Sequence, residues 1–464
     1  MKEFRYCVII IIDGGHVDVI ENLLSRNELP NIQKYISKDG SYTRAISSYP
    51  SATGPAYTPF LTGCFPGTCD LPGIRWFDRY TFNSKKRIFG GLRSYVGIES
   101  ILMKRELSKN VKTLFELSEN PYNVFNPISR GLEFSRNIPH ILNPYAHFTN
   151  RWEIVDTAAS FFIRSALRKS NPDFLFAVFP AVDGLSHATS PYSLRVVSAY
   201  KNFDKMIGSI IKELIKQKKF KDTLFIISSD HGLTQTNEHF DLSGFMEKRN
   251  FKVLYYPLIY KRNINAVLAE TGNSMAHIYL KNSGCWKERF YPESIKGNFI
   301  KDLTNREEIS FVLTKNEKNE IYVNYKEGEA VIKEKNNKLL YEYSGKDLFG
   351  YNLENEWLSY DDVLKNTFDA KYPDALVQIS QIFKSQRSGD IIIDAKKGFD
   401  LRARFEYPEH KSSHGSLCKE HICVPFFINT NIKRNKIRTV DVFPTVLKLM
   451  GKKYSGLMEG KSFI

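Results

Sequence analysis

The chain has 464 residues, of which 42% are hydrophobic, 25% are charged and 13% are aromatic. This length and composition suit a large globular core and argue against disorder for most of the chain. The formal net charge of +15 favours anionic partners such as phosphates, nucleotides, nucleic acid or acidic lipid headgroups. A genome bias towards Lys and Asn codons is an equally good explanation of that charge.

Three apolar runs predict strands that are buried on both faces, and each run is followed by an aspartate. Such strands are typical of parallel sheets, in which functional sites gather beyond the carboxyl ends of the strands. The runs and their acids are residues 6–12 before Asp13, residues 174–179 before Asp183, and residues 224–229 before Asp230.

Amphipathic segments between these runs predict helices at 19–38, 157–169 and 193–218. The alternation of strand and helix indicates an α/β fold with a central, mostly parallel sheet flanked by helices. Towards the end of the chain, residues 373–385 and 438–450 predict two more helices. A further strand is expected at 390–394.

The stretch 307–344 has a different pattern, with short β-branched and aromatic runs separated by turns rich in Asn and Lys. It predicts an antiparallel meander inserted into the α/β unit as a β-rich cap. We therefore divide the chain into a first part of the α/β core at 1–240, the inserted cap at 241–378, and the second part of the core at 379–464.

No run of residues is long enough to cross a membrane, since the apolar stretches 7–12 and 174–182 are far shorter than the roughly 20 residues that a span needs. The N-terminus carries Lys2 and Arg5, but its apolar stretch is too short for a signal peptide and no cleavage site follows. We therefore expect a cytoplasmic protein, with secretion without a cleaved signal left open.

Four of the six cysteines form two pairs with the same spacing, Cys64 with Cys69 and Cys418 with Cys423. A structural metal or a disulfide would suit such pairs. Reduced thiols in the core are favoured, because the chain is not small and is expected to lie in the cytosol.

Aspartate and histidine residues follow the predicted strands in a pattern that suits a divalent metal. Carboxylates and imidazoles are ligands of zinc and similar ions. The Asp-x3-His spacing places both side chains on one side of a helical turn. A single Asp–His pair is more often a surface feature, but three acids at strand ends, two with a nearby histidine, are hard to produce by chance. The candidate ligands are Asp13, Asp183, His187, Asp230, His231 and His414.

Thr53 lies in a small, turn-rich segment at 49–55 that follows a β-like run. Such a segment can place a hydroxyl at a helix N-terminus, where backbone amides favour anions. From this segment alone, a helix-capping threonine is the better interpretation.

Taken together, these residues resemble the alkaline phosphatase superfamily, and most closely its type I phosphodiesterase/nucleotide pyrophosphatase family. The resemblance covers roughly residues 6–80, 170–235 and 390–460. The first-strand aspartate of that family matches Asp13, and its threonine in a Pro-x-x-Thr-x-Pro context matches Thr53. The family's Asp-x3-His, Asp-His-Gly and late His-Gly motifs match the other ligands, which are Asp183 with His187, Asp230 with His231, and His414.

The resemblance implies two divalent metal ions, with zinc as the expected element. It implies that Thr53 and three ligands hold one ion, and that the second ion is held by the remaining three. The first set is Asp13, Thr53, Asp230 and His231, and the second is Asp183, His187 and His414. Thr53 would then be the catalytic nucleophile, and water would hydrolyse the resulting phosphothreonine.

The sequence departs from the nucleotide-cleaving members at one position. Those members carry an asparagine shortly after the threonine that helps to hold the phosphate, and here Ala56 stands there. The amide of Gly54 or an arginine would have to replace that donor. A sulfatase is rejected, because the segment that begins at Cys64 lacks the arginine of the sulfatase motif and lies after the Thr53 position.

Residues 73–80 interleave arginines with aromatics, which suits a phosphate-bearing and partly flat or apolar substrate. A packed surface patch is an equally good interpretation. The candidate substrate-binding residues are Gly54, Arg75, Trp76 and Arg79, with Arg402 and Arg404 as weaker ones.

These features lead to the hypothesis of a metal-dependent phosphodiesterase or pyrophosphatase that acts on a small anionic phosphoester. A phosphomonoester or phosphonate hydrolase, and a phosphoryl or headgroup transferase, remain alternatives at the same site. The intact Thr53 disfavours a metal-binding protein without turnover. Nucleic acid remains open as a partner, and the sequence indicates no oligomeric state. The insertion is expected to cover the site, because His414 must converge with His231 across it.

Overall fold

Runs of β-branched and aromatic residues form the strands of two large sheets in this computed structural model. The structure describes residues 3–82, 91–257, 263–282, 285–291, 298–353, 356–402 and 409–464. In chain order, the strands are β1 (Tyr6–Ile12), β2 (Ser41–Ile46), β3 (Arg75–Phe77), β4 (Leu92–Ser94), β5 (Pro121–Val124), β6 (Asn137–Ile138), β7 (Phe174–Phe179), β8 (Thr223–Ser228), β9 (Thr234–Gln235), β10 (Glu238–His239), β11 (Val253–Leu254), β12 (Ala266–Thr271), β13 (Met275–Leu280), β14 (Ile309–Lys315), β15 (Ile321–Tyr325), β16 (Gly328–Lys335), β17 (Lys338–Gly345), β18 (Leu358–Ser359), β19 (Ile391–Ala395), β20 (Phe399–Asp400), β21 (Ser412–Ser413), β22 (Cys423–Ile428) and β23 (Ile437–Arg438).

Helices cover the sheets and connect their strands. They are α1 (Val17–Ser25), α2 (Pro30–Ile32), α3 (Thr58–Thr62), α4 (Asn143–Thr149), α5 (Trp152–Lys169), α6 (Ala181–Ala188), α7 (Leu194–Lys216), α8 (Leu242–Glu247), α9 (Phe299–Thr304), α10 (Tyr360–Thr367), α11 (Ala375–Ile382), α12 (Lys419–Ile422) and α13 (Val442–Leu449). None of these described helices is long and apolar enough to span a membrane.

The central sheet has eight strands in the order β23-β2-β22-β8-β1-β7-β5-β6. β1 lies between β8 and β7 and is parallel to both, whereas β22 is antiparallel to its neighbours β8 and β2. Every residue of β7 and β8 is buried, as the continuous apolar runs predicted. The predicted α/β fold with a central, mostly parallel sheet and flanking helices is therefore confirmed.

The predicted helices are present with shifted bounds. The segment 19–38 is interrupted, because α1 ends at Ser25 and the chain starts a new helix at Pro30, where a proline is tolerated only in the first turn. A π-helical turn, Gln33–Ser37, then completes the segment. The predicted helices at 157–169 and 193–218 correspond to α5 and α7, and those at 373–385 and 438–450 correspond to α11 and α13.

The second sheet has nine strands in the order β11-β12-β13-β19-β14-β15-β16-β17-β18, and nearly all its pairs are antiparallel. Its four-stranded part β14–β17 confirms the predicted meander. The strand expected near 390–394 is β19, and it pairs with β13 and β14. The domain bounds at 240 and 378 stay predictions, but the second sheet includes this strand from beyond residue 378.

All six cysteines are free thiols. Cys64, Cys69, Cys418 and Cys423 are buried, as the interpretation of reduced core thiols expected. Burial raises the pKa of Cys69 to about 12 and that of Cys418 to about 12, so these thiols stay protonated at neutral pH.

Candidate active site

Two aspartates meet where the central strands β1 and β8 end. Asp13 directly follows β1, and Asp230 comes two residues after the end of β8. Because β1 and β8 are parallel and in register, both acids leave the same edge of the sheet. The amide of Gly14 donates a hydrogen bond to Oδ1 of Asp230 at 3.3 Å, which links the two loops. Both acids are buried.

A short helix delivers the third acid and the first histidine. The strand β7 ends opposite β1, with Phe179 paired to Ile12, and α6 starts two residues later. Asp183 and His187 lie one turn apart on α6, and Nε2 of His187 is 3.3 Å from Oδ1 of Asp183. The Asp-x3-His spacing therefore places both side chains on one face, as the sequence predicted.

Backbone hydrogen bonds on two sides hold the segment around His414 at the site. Just before it, β21 pairs with β9, which follows the Asp230–His231 loop. On the other side, the amide of His414 donates to the carbonyl of Gly272 at 2.9 Å. Gly272 has a φ of +61°, and a Cβ there would lie 2.5 Å from Nδ1 of His414, so only glycine permits this approach.

Thr53 lies among these ligands rather than capping a helix. Its Oγ1 is 3.3 Å from Oδ1 of Asp13 and 3.1 Å from Nε2 of His231. Gly54 directly precedes a 3₁₀ turn, Pro55–Tyr57, and its φ of +90° turns the chain sharply. In the described part of the chain, no residue accepts a hydrogen bond from the Gly54 amide. That amide therefore remains a candidate donor to a phosphate, as the sequence suggested.

The three histidines are oriented through their Nδ1 atoms. Nδ1 of His187 lies 2.8 Å from the carbonyl of Ser412, that of His414 lies 2.9 Å from the carbonyl of Ser51, and that of His231 lies 3.1 Å from its neighbour's carbonyl. An Nδ1–H that donates to a carbonyl leaves Nε2 with its lone pair, which is the form that binds metals. The His231 and His414 rings stack at 3.8 Å with an interplanar angle of 6°.

The donor set fits divalent cations. Two groups each bring their ligand atoms within 4.8 Å of one another, and these are Asp183, His187 and His414, and Asp13, Asp183 and His231. The first group is the one that the resemblance implied. The second contains Asp183 where the resemblance implied Asp230, although Oδ2 of Asp230 is only 3.3 Å from Nε2 of His231. Each of these two oxygens, Oδ2 of Asp230 and Oδ1 of Asp183, lies 3.3 Å from a histidine Nε2, but among the described residues neither accepts a well-aligned hydrogen bond.

The pKa shifts of the buried acids and histidines also indicate a site for cations. Burial, followed by the charges of Asp230 and Asp183, raises the pKa of Asp13 well above its usual value. Burial also raises the pKa of Asp230 and lowers that of His414. Burial alone would raise the pKa of Asp183, but the neighbouring histidines, His187 first, hold it below its usual value. Buried carboxylates that repel one another in this way are stabilised by bound cations.

Three residues near the ligands were not anticipated. The hydroxyl of Tyr57 donates to Oδ2 of Asp13 at 3.0 Å. The ring of His410 lies 4.4 Å from that of His187, and Nδ2 of Asn273 is 3.3 Å from Nδ1 of His410. His410 precedes His414 by the same spacing that separates Asp183 from His187, and this repeated spacing was the signal available in the sequence. No sequence signal pointed to Tyr57 or Asn273.

A cavity of about 70 Å³ opens beside Thr53. Its lining combines Asp13 and Thr53 with apolar and polar side chains that include Ile74, Tyr95, Met103 and His140. Of the candidate substrate-binding residues, Gly54, Arg75, Trp76 and Arg79 do not line it. Their roles in substrate binding stay predictions.

The contacts of those candidates are largely internal. Trp76 is fully buried and packs against Tyr95 with ring centroids 5.1 Å apart. The buried guanidinium of Arg79 pairs with Asp390 at 2.9 Å. Arg75 lies over the ring of Tyr256 at 4.6 Å. These side chains therefore support the wall of the cavity and the second sheet.

The weaker candidates lie elsewhere. Nη2 of Arg402 is 2.9 Å from Nδ1 of His239, and its Nε is 3.9 Å from Asp400. Arg404 lies outside the described residues. The structure therefore gives Arg402 partners of its own within the protein.

Comparison with known proteins identifies the family of the chain. Residues 7–417 match the family described as type I phosphodiesterase/nucleotide pyrophosphatase. The chain belongs to this family, as the resemblance in the sequence indicated.

Individual relatives are distant. An uncharacterised pyrophosphatase/phosphodiesterase of Schizosaccharomyces pombe is 24% identical over 245 residues, which are 51% of this chain and 46% of that protein. The chain thus matches about half the length of this curated relative. Murine ectonucleotide pyrophosphatase/phosphodiesterase 5 has a similar fold, with a TM-score of 0.59, 14% identity, and coverage of 99% of this chain and 98% of that one. Phosphonoacetate hydrolase from Sinorhizobium meliloti 1021 has a TM-score of 0.58, 14% identity, and coverage of 96% of both chains.

Proposed function

We propose that the protein is a metal-dependent hydrolase of phosphodiester or pyrophosphate bonds in a small anionic substrate, with Thr53 as the nucleophile. The observation that carries the proposal is the position of Thr53 Oγ1, 3.3 Å from Asp13 and 3.1 Å from His231 within a cluster of six Asp and His side chains. A hydroxyl with these neighbours has a chemical use that a capping threonine lacks. Membership of the family supports the same reaction class.

Two divalent ions, of which zinc is the expected element, would be held by the six side chains and Thr53. When bound, they supply Lewis acidity and lower the pKa of coordinated hydroxyls. One would take Asp183, His187 and His414, and the other Asp13, Asp230 and His231 with Thr53. Asp183 belongs to both groups of neighbouring ligand atoms, so its carboxylate could bind either ion.

The reaction proceeds in two substitutions at phosphorus. Oγ1 of Thr53 gives up its proton and forms a bond to phosphorus, while the bond to the leaving oxygen breaks and that group departs with a proton. Water then attacks the phosphothreonine, so that the Thr53 hydroxyl is restored and phosphate or a phosphomonoester is released. The Gly54 amide, which directly follows the nucleophile in the chain, would donate to a phosphate oxygen.

A second candidate is hydrolysis of a phosphonate or phosphomonoester at the same site. The observation in its favour is the similarity in fold to phosphonoacetate hydrolase, which is as close as that to the murine phosphodiesterase. Ala56 also stands where nucleotide-cleaving members carry a phosphate-holding asparagine. A panel of chromogenic diester, monoester and phosphonate substrates, compared by kcat/KM, decides which bond is preferred.

The test of the nucleophile is Thr53→Ala. We expect a loss of turnover of at least about 10⁴-fold, because the covalent path is removed, while the melting temperature and metal content stay close to the wild type. The matched control is Thr43→Ala, which removes a partly exposed hydroxyl on β2 and should keep full activity. An inactive form of the murine phosphodiesterase, in complex with AMP, likewise carries a threonine-to-alanine change. Near-normal turnover by Thr53→Ala would make water the attacking group.

A further inference from the structure

A second cavity, of about 710 Å³, opens on the second sheet. Its floor includes Ile321 and Ile332, which are cross-strand partners on β15 and β16, and Lys315 on β14 is the partner of Ile321. Residues 383–386, which follow α11, form one wall. Ligand sites for small molecules commonly have this size. None of the residues that line this cavity belongs to the metal cluster or to the cavity beside Thr53.

The lining of this lysine cleft, as we call the cavity, carries far more positive than negative charge. It contains two carboxylates, and both are engaged by neutral donors: Glu320 accepts from Asn316 at 2.8 Å, and Glu334 accepts from two hydroxyls at 2.6 Å each. Six cationic side chains line the cleft, and they are Arg289, Lys315, Lys318, Lys333, Lys335 and Lys384.

Among the described residues, half of these cations have no carboxylate partner. Lys333 pairs with Glu342 and Lys384 with Glu459, each outside the cleft lining. In the described part of the chain, Lys315, Lys318 and Lys335 form no ion pair. The ammonium of Lys315 donates to the carbonyl of Phe383 at 3.3 Å, and this acceptor is neutral.

Lys315 is the most constrained of these cations. It is half-buried, and burial followed by repulsion from Arg289 lowers the pKa of Lys315 to about 8. Burial also lowers the pKa of Arg289. Two like charges held together in a half-closed space raise the free energy of the protein without an anion between them. An anion in the cleft would relieve this repulsion.

We propose that the lysine cleft binds a small polyanion with two or more linked phosphates, at a site separate from the catalytic centre. The concave shape and the spread of cations over the strands β14 and β16 and the segments beside them suit several phosphates rather than one. Trp357 also lines the cleft with a side chain that is 40% exposed, and it offers a ring on which a base could stack. The ligand is therefore either an inorganic phosphate chain or a nucleoside polyphosphate.

Calorimetric titration of the full chain with tripolyphosphate tests the site. The titration uses the Thr53→Ala background, so that no turnover accompanies binding. We expect the double variant Lys315→Met, Lys335→Met to bind at least tenfold more weakly. The matched control is Lys326→Met, which removes an exposed lysine at the other end of the same strands and should bind normally.

Two further measurements keep the test decisive. In the presence of Thr53, the double variant should retain its melting temperature and its turnover of a chromogenic diester, because the cleft is not the catalytic site. Equal affinity in the double variant and in Lys326→Met, or no measurable binding by the parent protein, would overturn the proposal. Titration with ATP then separates the sources: if Trp357→Ala weakens ATP but not tripolyphosphate, the ligand is a nucleotide, and if it weakens neither, the ligand is the phosphate chain.

Discussion

The two sheets use their strands in opposite ways. In the central sheet, the strands β1, β7 and β8 carry no charged side chain and are almost entirely buried, so charged groups appear only beyond the ends of these three strands, at Asp13, Asp183 and Asp230. In the second sheet, β15 alternates buried and partly exposed residues along its length. Its neighbours therefore carry lysines within the strands themselves, as at Lys315 and Lys333. Burial on both faces thus concentrates chemistry at one edge, whereas an open face spreads charge over a surface.

The two regions are joined by a buried ion pair. Arg438 lies on β23 of the central sheet, and Asp374 directly precedes α11, which packs with the core of the second sheet. Nε of Arg438 donates to Oδ2 of Asp374 at 2.7 Å, and Nη2 donates to Oδ1 at 2.6 Å. Both side chains are almost completely buried. Removing one partner of this bidentate pair should therefore weaken the packing between the two regions.

We expect Arg438→Met to lower the free energy of unfolding by about 3–5 kcal/mol, because it leaves the Asp374 carboxylate buried without its partner. Denaturant unfolding, followed by an optical signal, measures the loss. The double variant Arg438→Met, Asp374→Asn removes the stranded charge and should recover a substantial part of the stability. If Arg438→Met were as stable as the wild type, the ion pair would contribute nothing to the packing between the two regions.

His414 is the point at which the second sheet takes part in the catalytic centre, because the β12–β13 turn holds its backbone. His414→Ala should cut turnover by about 100-fold or more and reduce the metal content by close to one ion per chain. The ion held by Asp13, Asp230 and His231 should stay. Metal analysis and diester turnover are measured together on the variant. Unchanged metal content with full activity would remove His414 from the ligand set.

The strands that position the metal ligands could be predicted from the sequence, because strands that are buried on both faces appear as continuous apolar runs. Residues 6–12, 174–179 and 224–229 are apolar throughout most of their length, and the acids that follow them break the pattern. The meander could also be predicted, since its turns are rich in Asn and Lys. The contacts that position the ligands could not be predicted, because they join residues far apart in the chain. Ser51 and Ser412, for example, orient two histidines through their backbone carbonyls.

Two kinds of expectation could not be settled from the chain alone. The arginines at 75 and 79 suit an anionic substrate, but a buried arginine can also be paired with a distant acid, as Arg79 is with Asp390. The insertion was expected to cover the site, and that expectation stays a prediction. The contact that the structure shows is made by the β12–β13 turn, whereas the meander is separated from β13 by β19 in the sheet order.

The last predicted effect, a pH dependence of stability, lies wholly within the central region. Asp156 on α5 is buried, and its Oδ1 accepts a hydrogen bond at 3.0 Å from the amide of Ala181, the first residue of the helix that carries Asp183 and His187. Burial raises the pKa of Asp156 from 3.8 to about 8. The folded protein therefore holds a proton that the unfolded chain has already lost between these two pH values. Stability from this group is complete below about pH 4 and is lost as the pH rises towards 8.

Asp156→Asn should remove this pH dependence, because the amide is neutral at every pH and its oxygen can still accept from Ala181. The variant should gain on the wild type by at most about 1.4 kcal/mol per pH unit between pH 5 and pH 8. Urea unfolding of both proteins across that range measures the difference. Glu153→Gln is the control, since it removes a partly exposed carboxylate from the same helix and should show no such trend. A constant difference between Asp156→Asn and the wild type would mean that Asp156 is ionised in the folded protein, and that the start of α6 is held by a charged acceptor.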